Sequence, residues 1–273
     1  AGVRAGGSGT VFFTGCTMRC GFCQNRQLSR GEVGAAVSTD EFADICLRLQ
    51  EAGALNINLV SATPFVPGVL EGMTRARSRG LTVPVVWNSS GYETEETVEL
   101  LSDVVDIFLP DLKILDESRA QRLFAAPAYP KTAVSAVKKM MALSPLQYDE
   151  EGRLASGTIV RHLVLPGLLE ESKRVLEWCA ENGVGRSAAL LSLMLQFGVP
   201  EDLQGWRRGV EALENRQLSG REYDALIACL DGLGLEEGFV QEPGDEAPWW
   251  PDFTRSNPFP PGPAAPLWHY AGR

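Results

Sequence analysis

The sequence predicts an α/β fold with a parallel sheet, either a partial barrel or a doubly wound sheet. Short apolar segments alternate with amphipathic helical patterns, which is typical of βαβ units. Several of these segments are apolar throughout, as expected of parallel strands buried on both faces. With 273 residues and 44% apolar content, the chain is long enough for one large core. The strand candidates are Thr10–Thr14, Leu55–Val60, Thr82–Trp87, Val105–Leu109, Thr158–Leu165 and Ala188–Leu195.

The helices between these strands carry start and stop signals. Ser38 followed by Glu41, and Ser219 followed by Glu222, have the spacing of capping boxes. The other predicted boundaries are Gly53 at the end of the first of these helices, Thr94 as an N-cap, and a helix from about Glu171 to Asn182. In such folds we expect functional groups at the carboxyl ends of the strands and in the loops that follow.

The composition changes after residue 240. The segment 242–273 contains eight of the 17 prolines and three of the six tryptophans, Trp249, Trp250 and Trp268. Proline interrupts helices and sheet ladders, whereas tryptophan favours burial. We therefore predict a barrel domain over 1–240 and an extended Pro/Trp-rich tail over 241–273 that packs on the barrel.

Charge and hydropathy exclude several classes of protein. A net charge of −10 disfavours binding to nucleic acid or to an anionic membrane. No apolar run approaches the 18 or so residues of a spanning helix, and there is no signal peptide. The chain starts at Ala1 rather than Met, so the sequence leaves open whether native N-terminal residues are missing. Six cysteines without a disulfide-like distribution suggest a reducing, cytoplasmic setting.

Three cysteines lie together directly after the first predicted strand. Cys16, Cys20 and Cys23 have C-x3-C-x2-C spacing, and soft thiolates are the ligands that iron–sulfur clusters use. Three protein ligands on a cube of four irons leave one iron open for a substrate or cofactor. The spacing therefore predicts a 4Fe-4S cluster with an open coordination site.

Two alternatives to a cluster stay open from the residues alone. A structural zinc site needs four ligands, usually in two separated pairs, and neither His162 nor His269 is adjacent to the three cysteines. The three thiols could also be unrelated core residues, since free cysteine is often buried. We interpret the remaining cysteines, Cys46, Cys179 and Cys229, as helix core residues.

The segment Val11–Arg26 resembles the signature loop of radical S-adenosylmethionine (SAM) enzymes, most closely the pyruvate formate-lyase activating enzyme-like family. Three further segments match that family in order: Asn88–Tyr92 resembles its N-x-x-G-aromatic turn, Asp111–Lys113 its D-L-K motif, and Arg161–Gly167 its R-x-x-x-x-P-G strand. Together the matches cover about residues 10–197. The cysteine loop is highly specific, and the other motifs add weight through their order.

The resemblance implies a partial (β/α)6 barrel of the TIM type and a radical mechanism. SAM binds the open iron through its amino and carboxylate groups, and the reduced cluster cleaves it to methionine and a 5′-deoxyadenosyl radical that abstracts hydrogen. The implied electron donor is a flavodoxin or a ferredoxin-type protein. The implied substrate is a glycyl residue of a partner enzyme or a small molecule. The other class of function is a non-catalytic iron–sulfur protein that transfers electrons or senses redox state, although such carriers usually have four cysteine ligands.

The resemblance also gives candidate residues around the cofactors. Asp111 is suited to the ribose hydroxyls and Lys113 to the methionyl carboxylate, unless they form only a surface ion pair. Arg161 lies within an apolar strand, where its charge needs a carboxylate partner. Phe22 packs either on the cluster or adenine or in the core, and Asn25 either steadies the loop or caps a helix. The remaining candidate in these motifs is Asn88.

Two segments depart from the family pattern. After the second strand, where the family has a G-G-E turn for the SAM amino group, the chain reads Ser61–Phe65. Ser61 and Thr63, or backbone carbonyls, then have to bind that group. At the end of the sixth strand, Gln196 and Phe197 replace a tyrosine and a histidine. These changes alter the expected lining of the mouth and leave the substrate undetermined.

Overall fold

The structure is a computed structural model that describes residues 6–198, 213–214, 216–243, 251–259 and 266–270. Its strands form one sheet with a parallel main ladder. Within the described residues the strands are β1 (Ser8–Phe12), β2 (Asn56–Val60), β3 (Val85–Ser89), β4 (Ile107–Pro110), β5 (Gln147–Tyr148), β6 (Leu154–Leu163), β7 (Leu190–Met194) and β8 (Gly238–Val240).

The strands follow the order β1-β2-β3-β4-β6-β7-β8, and each neighbour pair in that order is parallel. The short β5 pairs antiparallel with β6. The sheet is open, with β1 and β8 at its two ends. The predicted parallel α/β fold is therefore confirmed, and the six predicted strands correspond to β1, β2, β3, β4, β6 and β7.

Helices follow most of the strands, as parallel connections require. Two predicted N-caps are confirmed by hydrogen bonds to the Ser38 and Thr94 side chains, and the predicted capping box of Ser219 and Glu222 is present in full. No helix in the described residues is long and apolar enough to cross a membrane. The helices are α1 (Arg26–Ser29), α2 (Thr39–Glu51), α3 (Val66–Ser78), α4 (Glu95–Leu101), α5 (Glu117–Phe124), α6 (Tyr129–Leu143), α7 (Leu169–Glu181) and α8 (Gly220–Leu233).

The apolar core lies between the helices and the outer face of the sheet. In β2, Ile57 and Leu59 are fully buried in a cluster with residues of α2, α3 and α4. A second cluster joins the outer faces of β6 and β7 to α5, α7 and α8. Because side chains alternate along a strand, Asn56 and Asn58 of β2 face the opposite side, towards the interior of the curved sheet.

The sheet differs from the prediction in several strands, including β5, which was not predicted, and β6, which begins at Leu154 rather than Thr158. The third strand begins at Val85 rather than Thr82, because the Gln50 side chain accepts hydrogen bonds from the Thr82 and Val83 N–H groups (2.7 and 3.2 Å). Strand β8 was not predicted, since three residues are too few to show a periodicity. Gly238 permits its approach to β7: an added Cβ would lie 1.9 Å from the Leu191 carbonyl oxygen.

The described tail residues contact the barrel at β1 and α2. The Phe253 and Phe259 rings lie 5.2 and 5.6 Å from the ring of Phe12. Gln27 accepts a hydrogen bond from the Phe253 N–H (2.7 Å). Trp268 packs on the cluster outside β1 and β2. Trp249 and Trp250 lie outside the described residues, and the division into a barrel domain and a tail stays a prediction.

Candidate functional site

A cavity of about 370 Å³ lies at the carboxyl ends of the parallel strands. The four sequence motifs converge there, although they are far apart in the chain. Of the predicted site residues, the cavity is lined by Cys16, Cys20, Phe22, Cys23, Asn25, Ser61, Asn88, Asp111, Lys113, Arg161 and Gln196. Thr63 is not among the lining residues.

The cysteine loop is fixed by backbone hydrogen bonds at both ends. Gly15 has a φ of +94°, which glycine adopts without strain, and its N–H donates to the Leu28 carbonyl (2.7 Å). The Arg19 and Gly21 N–H groups donate to carbonyls at the end of α5 (3.1 and 3.0 Å). These contacts hold the loop over the cavity and turn all three thiols towards it.

Burial raises the pKa of the Cys16 and Cys20 thiols. The pKa of Cys16 is raised, and that of Cys20 is raised to about 12, although the charge of Lys113 opposes the shift. A metal centre would stabilise the thiolate forms, since metal ligation displaces the thiol proton. In the described residues no three His, Cys, Asp or Glu side chains converge on one point as ligands of a single metal ion do. A cube instead binds each thiolate to a different iron.

The cysteines outside the loop are core residues, as predicted for Cys46 and Cys179. Both side chains are fully buried, in the two separate core clusters. Burial raises the pKa of each thiol to about 12, so they are protonated and unreactive at neutral pH. Cys229 is partly buried against the cluster that includes α8.

A network of one carboxylate and two cations occupies the far wall of the cavity. Asp111 forms an ion pair with Lys113 and another with Arg161 (Oδ1 to Nη2, 2.7 Å), and the same Arg161 nitrogen donates to Asn88 Oδ1 (2.7 Å). Burial alone would raise the pKa of Asp111, but the charges of Arg161 and Lys113 lower it. Asp111 and Lys113 are each 15% exposed, so the pair lies inside the cavity and not on the open surface.

Tyr129 and His162 hold this network from behind. The Tyr129 hydroxyl accepts from the Lys113 N–H (2.9 Å) and lies 2.8 Å from the Asp111 carbonyl oxygen. His162 lies on the opposite side of β6, with its Nδ1 2.8 Å from the Leu112 carbonyl oxygen and its Nε2 2.9 Å from the Ser172 hydroxyl. Burial lowers the pKa of His162. His162 is thus a structural residue, whereas nothing in the sequence indicated the role of Tyr129.

Three other predicted residues line the near wall. Phe22 packs on Phe124 and Phe197 (ring centroids 6.1 and 5.6 Å apart) and also faces the cavity. Asn25 occupies the N-cap position of α1, but its side chain makes no capping hydrogen bond. The Gln196 carbonyl accepts from the side chain of Gln24 (3.0 Å) in the cysteine loop. This bond ties the end of β7 to the loop.

The turn after β2 is built differently from the prediction. Ser61 lines the cavity with a φ of +60°, and its N–H donates to the Asn88 carbonyl (3.0 Å). The Thr63 hydroxyl donates instead to Oε1 of Glu93 (2.7 Å). The prediction that Thr63 faces the cofactor therefore has to be corrected, because a buried carboxylate behind the wall binds its hydroxyl.

Asn58 is a cavity residue that the sequence analysis did not single out. Its Oδ1 is buried without a hydrogen-bond partner in the described residues, as is the Nε of Arg161. Both residues line the cavity, and buried polar atoms normally have partners. A ligand with a donor and an acceptor would satisfy them. The signal in the sequence was the alternation of Asn56 and Asn58 with apolar residues in this strand.

The comparison with protein families identifies this arrangement. Residues 10–203 match the model of the Radical SAM superfamily. The chain belongs to the radical SAM superfamily. Radical SAM proteins bind a 4Fe-4S cluster and SAM, so the predicted enzyme class and cofactors are confirmed at the level of the family.

One relative, the uncharacterized protein MJ0674 of Methanocaldococcus jannaschii, is 29% identical to this chain over 198 residues. The match covers 70% of this chain and 53% of that protein, so the chain spans about half the length of this relative.

Solved structures of other proteins share the fold. SuiB of Streptococcus suis, bound to S-adenosylmethionine, has a TM-score of 0.56 and 12% identity, covering 87% of this chain and 51% of that one. This likeness confirms the partial barrel. A domain of pyruvate-formate lyase-activating enzyme from Bacteroides vulgatus has a TM-score of 0.46 and 13% identity, covering 65% of this chain and 91% of that one. The closer resemblance to the activating enzyme stays a prediction.

The residues present fit the two cofactors of a radical SAM protein. Three thiols of one loop line the same cavity as the ion-paired network. Lys113 and Arg161 together carry one more charge than Asp111 neutralises, which suits a ligand carboxylate. The unpartnered Oδ1 of Asn58 and Nε of Arg161 offer an acceptor and a donor to a polar ligand.

Proposed function

We propose that this radical SAM enzyme abstracts a hydrogen atom from a glycyl residue that a partner protein presents at the mouth of the cavity. When bound, the cluster and SAM supply the 5′-deoxyadenosyl radical that performs the abstraction. The protein residues bind and orient the cofactors and limit the access of water. The motif order across residues 10–197 supports this substrate through resemblance.

The proposed ligand set assigns a role to each wall of the cavity. Cys16, Cys20 and Cys23 bind three irons. Lys113 and Arg161 bind the methionyl carboxylate by charge-assisted hydrogen bonds. The further contacts proposed for SAM come from Phe22, Asn25, Ser61, Asn88, Asp111 and Gln196, all of which line the cavity.

The size of the cavity favours a substrate that is presented from outside over one that is bound within the cavity. Sites for a single small ligand typically have volumes of roughly 300–1,000 Å³, and this cavity has about 370 Å³. A cavity near the lower end of that range suits a single ligand, so with SAM bound little room is left for a second molecule. A substrate then has to reach SAM through the mouth, as a loop of a partner protein does.

A small polar molecule is the second candidate substrate, and Asn58 favours it. Its unpartnered Oδ1 lies on the interior face of β2, two residues before the strand end. A compact molecule with a hydrogen-bond donor would satisfy this atom. In either case the reaction requires one electron per turnover, for which we propose a flavodoxin or ferredoxin-type donor.

Electron paramagnetic resonance on anaerobic, cluster-loaded protein tests the substrate. The protein is mixed with reductant, SAM and candidate glycyl radical proteins from the same source, and a stable glycyl doublet is the expected result. A Cys20→Ala variant should give no doublet, whereas Cys46→Ala should give it, because Cys46 is buried in the core away from the cavity.

Two outcomes would contradict the proposal. If no candidate protein yields the doublet while a metabolite fraction stimulates SAM cleavage, the small-molecule reaction replaces it. If the reduced, loaded protein does not cleave SAM at all under any of these conditions, the chain transfers electrons or senses redox state instead.

A further inference from the structure

A buried carboxylate lies directly behind the SAM cavity and has no role in the assignments above. Glu93 is 2% exposed and follows the Asn88–Tyr92 turn. Its Oε1 accepts from the Thr63 hydroxyl (2.7 Å), and its Oε2 accepts from the Ser89 hydroxyl (3.1 Å). It therefore joins the turns after β2 and β3, one hydrogen bond behind the cavity wall, because Ser89 itself lines the cavity.

Glu93 lacks the cation that a buried carboxylate normally requires. In the described part of the chain its polar neighbours are Thr63, Ser89 and the Trp87 indole, and the negative charge of Asp111 adds to the rise in its pKa. No lysine, arginine or histidine in those residues forms an ion pair with it. Another buried carboxylate, that of Glu171, instead pairs with two arginines. An unpaired buried charge is costly, so its retention calls for a compensating charge from elsewhere.

The charges around the cavity are unevenly distributed. On the β4 and β6 side, Lys113 and Arg161 outnumber Asp111 by one positive charge. On the β2 and β3 side, Glu93 provides one negative charge. SAM carries a carboxylate and an ammonium on one carbon at its methionyl end, and its remaining positive charge is the sulfonium, which lies between that end and the adenosine. A carboxylate behind the cavity wall complements this sulfonium charge.

We infer that Glu93 is an electrostatic positioning residue that selects a cationic ligand, and that it favours SAM over its uncharged-sulfur analogue S-adenosylhomocysteine. Glu93 acts through space and through the Ser89 hydroxyl, which itself lines the cavity, without touching the ligand. A charge at such a distance acts more strongly inside a protein than in water, because the effective dielectric constant is lower. Burial raises the pKa of Glu93 because it favours the neutral carboxyl, and a cationic ligand in the cavity favours the charged carboxylate.

The inference rests on SAM binding and not on the identity of the substrate. The test measures, by calorimetry, the affinity of the anaerobic, cluster-loaded protein for SAM and for S-adenosylhomocysteine. In Glu93→Gln, which keeps size and polarity, SAM should bind about tenfold more weakly, and S-adenosylhomocysteine should lose less than about threefold. Thr63→Val keeps the carboxylate but removes one hydrogen bond, so it should change both affinities by the same factor.

If Glu93→Gln weakens the binding of SAM and of S-adenosylhomocysteine by the same factor, Glu93 is only a structural link between the two turns, and the proposal is overturned. Unchanged affinities would overturn it as well. If Glu93→Gln does not fold, the unmodified protein still decides: it should bind SAM at least about tenfold more tightly than S-adenosylhomocysteine, and equal affinities would contradict the inference.

Discussion

Gly91 offers a sharp test of how the turns around the cavity are positioned. It lies in the Asn88–Tyr92 turn with a φ of +73°, which costs a non-glycine residue about 1–2 kcal/mol. A Cβ added there would lie 2.5 Å from the Asp111 carbonyl oxygen. A backbone oxygen cannot rotate away as a side chain can, so the Asp111 segment would have to shift.

For Gly91→Ala we expect a loss of about 2–5 kcal/mol of unfolding free energy, from the unfavourable φ and the steric overlap together. In a domain of this size each kcal/mol lowers Tm by roughly 2–4 °C, which gives a decrease on the order of 5–15 °C. SAM affinity should fall by about tenfold or more, because Asp111 is displaced. Differential scanning fluorimetry and calorimetry on anaerobic protein measure the two effects.

Gly232→Ala is the matched control. Gly232 lies in α8, and an added Cβ there meets nothing within 4 Å. Alanine in a helix should raise stability by about 0.5–1 kcal/mol and leave SAM affinity unchanged. If Gly91→Ala and Gly232→Ala both melt at or above the wild-type temperature with unchanged SAM affinity, the close contact between Gly91 and Asp111 does not exist in solution.

The other predictions concern the cluster, the SAM contacts and pH. Alanine in place of any one loop cysteine should abolish a cluster of about four irons and four sulfides, whereas Cys46→Ala should retain it; iron and sulfide analysis checks this. Asp111→Ala and Lys113→Ala should each weaken SAM binding by about 1–3 kcal/mol, and unchanged affinity in both would refute the assignment. The Arg216 ion pair lowers the pKa of Glu222 from 4.5 to about 2, so its stabilisation is present above pH 4.5 and lost towards pH 2. Glu222→Gln should therefore lower the free energy of unfolding by about 0.5–1 kcal/mol at pH 7. Denaturant unfolding of both proteins should show this difference shrinking below pH 4.5, and a constant difference would contradict the prediction.

Local signals made the cysteine loop and the helix starts predictable. The spacing of Cys16, Cys20 and Cys23 is a short-range property, and so is the capping of α8 by Ser219, which the structure reproduces with both hydrogen bonds. The convergence of the four motifs followed from one rule, that the carboxyl ends of parallel strands share an edge. These parts of the site needed no knowledge of distant contacts.

Long-range contacts were not predictable in the same way. Thr63 was assigned to the cofactor because of its place after β2, but its partner Glu93 lies 30 residues further along the chain. Tyr129 supports the Asp111 segment from the start of α6, 18 residues away. Such pairings depend on how two loops pack, and a single sequence contains no local pattern that records them.

The polar interior of the sheet explains why this barrel has a cavity at all. Closed TIM barrels fill their interior with branched apolar side chains, and the strands here were expected to be apolar on both faces. Instead Thr10, Asn58, Asn88 and Arg161 face the interior from four strands. Polar side chains that require partners cannot close a dry core, and the open sheet lets ligand atoms satisfy them. The alternation Asn-Ile-Asn-Leu over residues 56–59 of β2, apolar outwards and polar inwards, is therefore the sequence feature that distinguishes a ligand-binding barrel from a filled one.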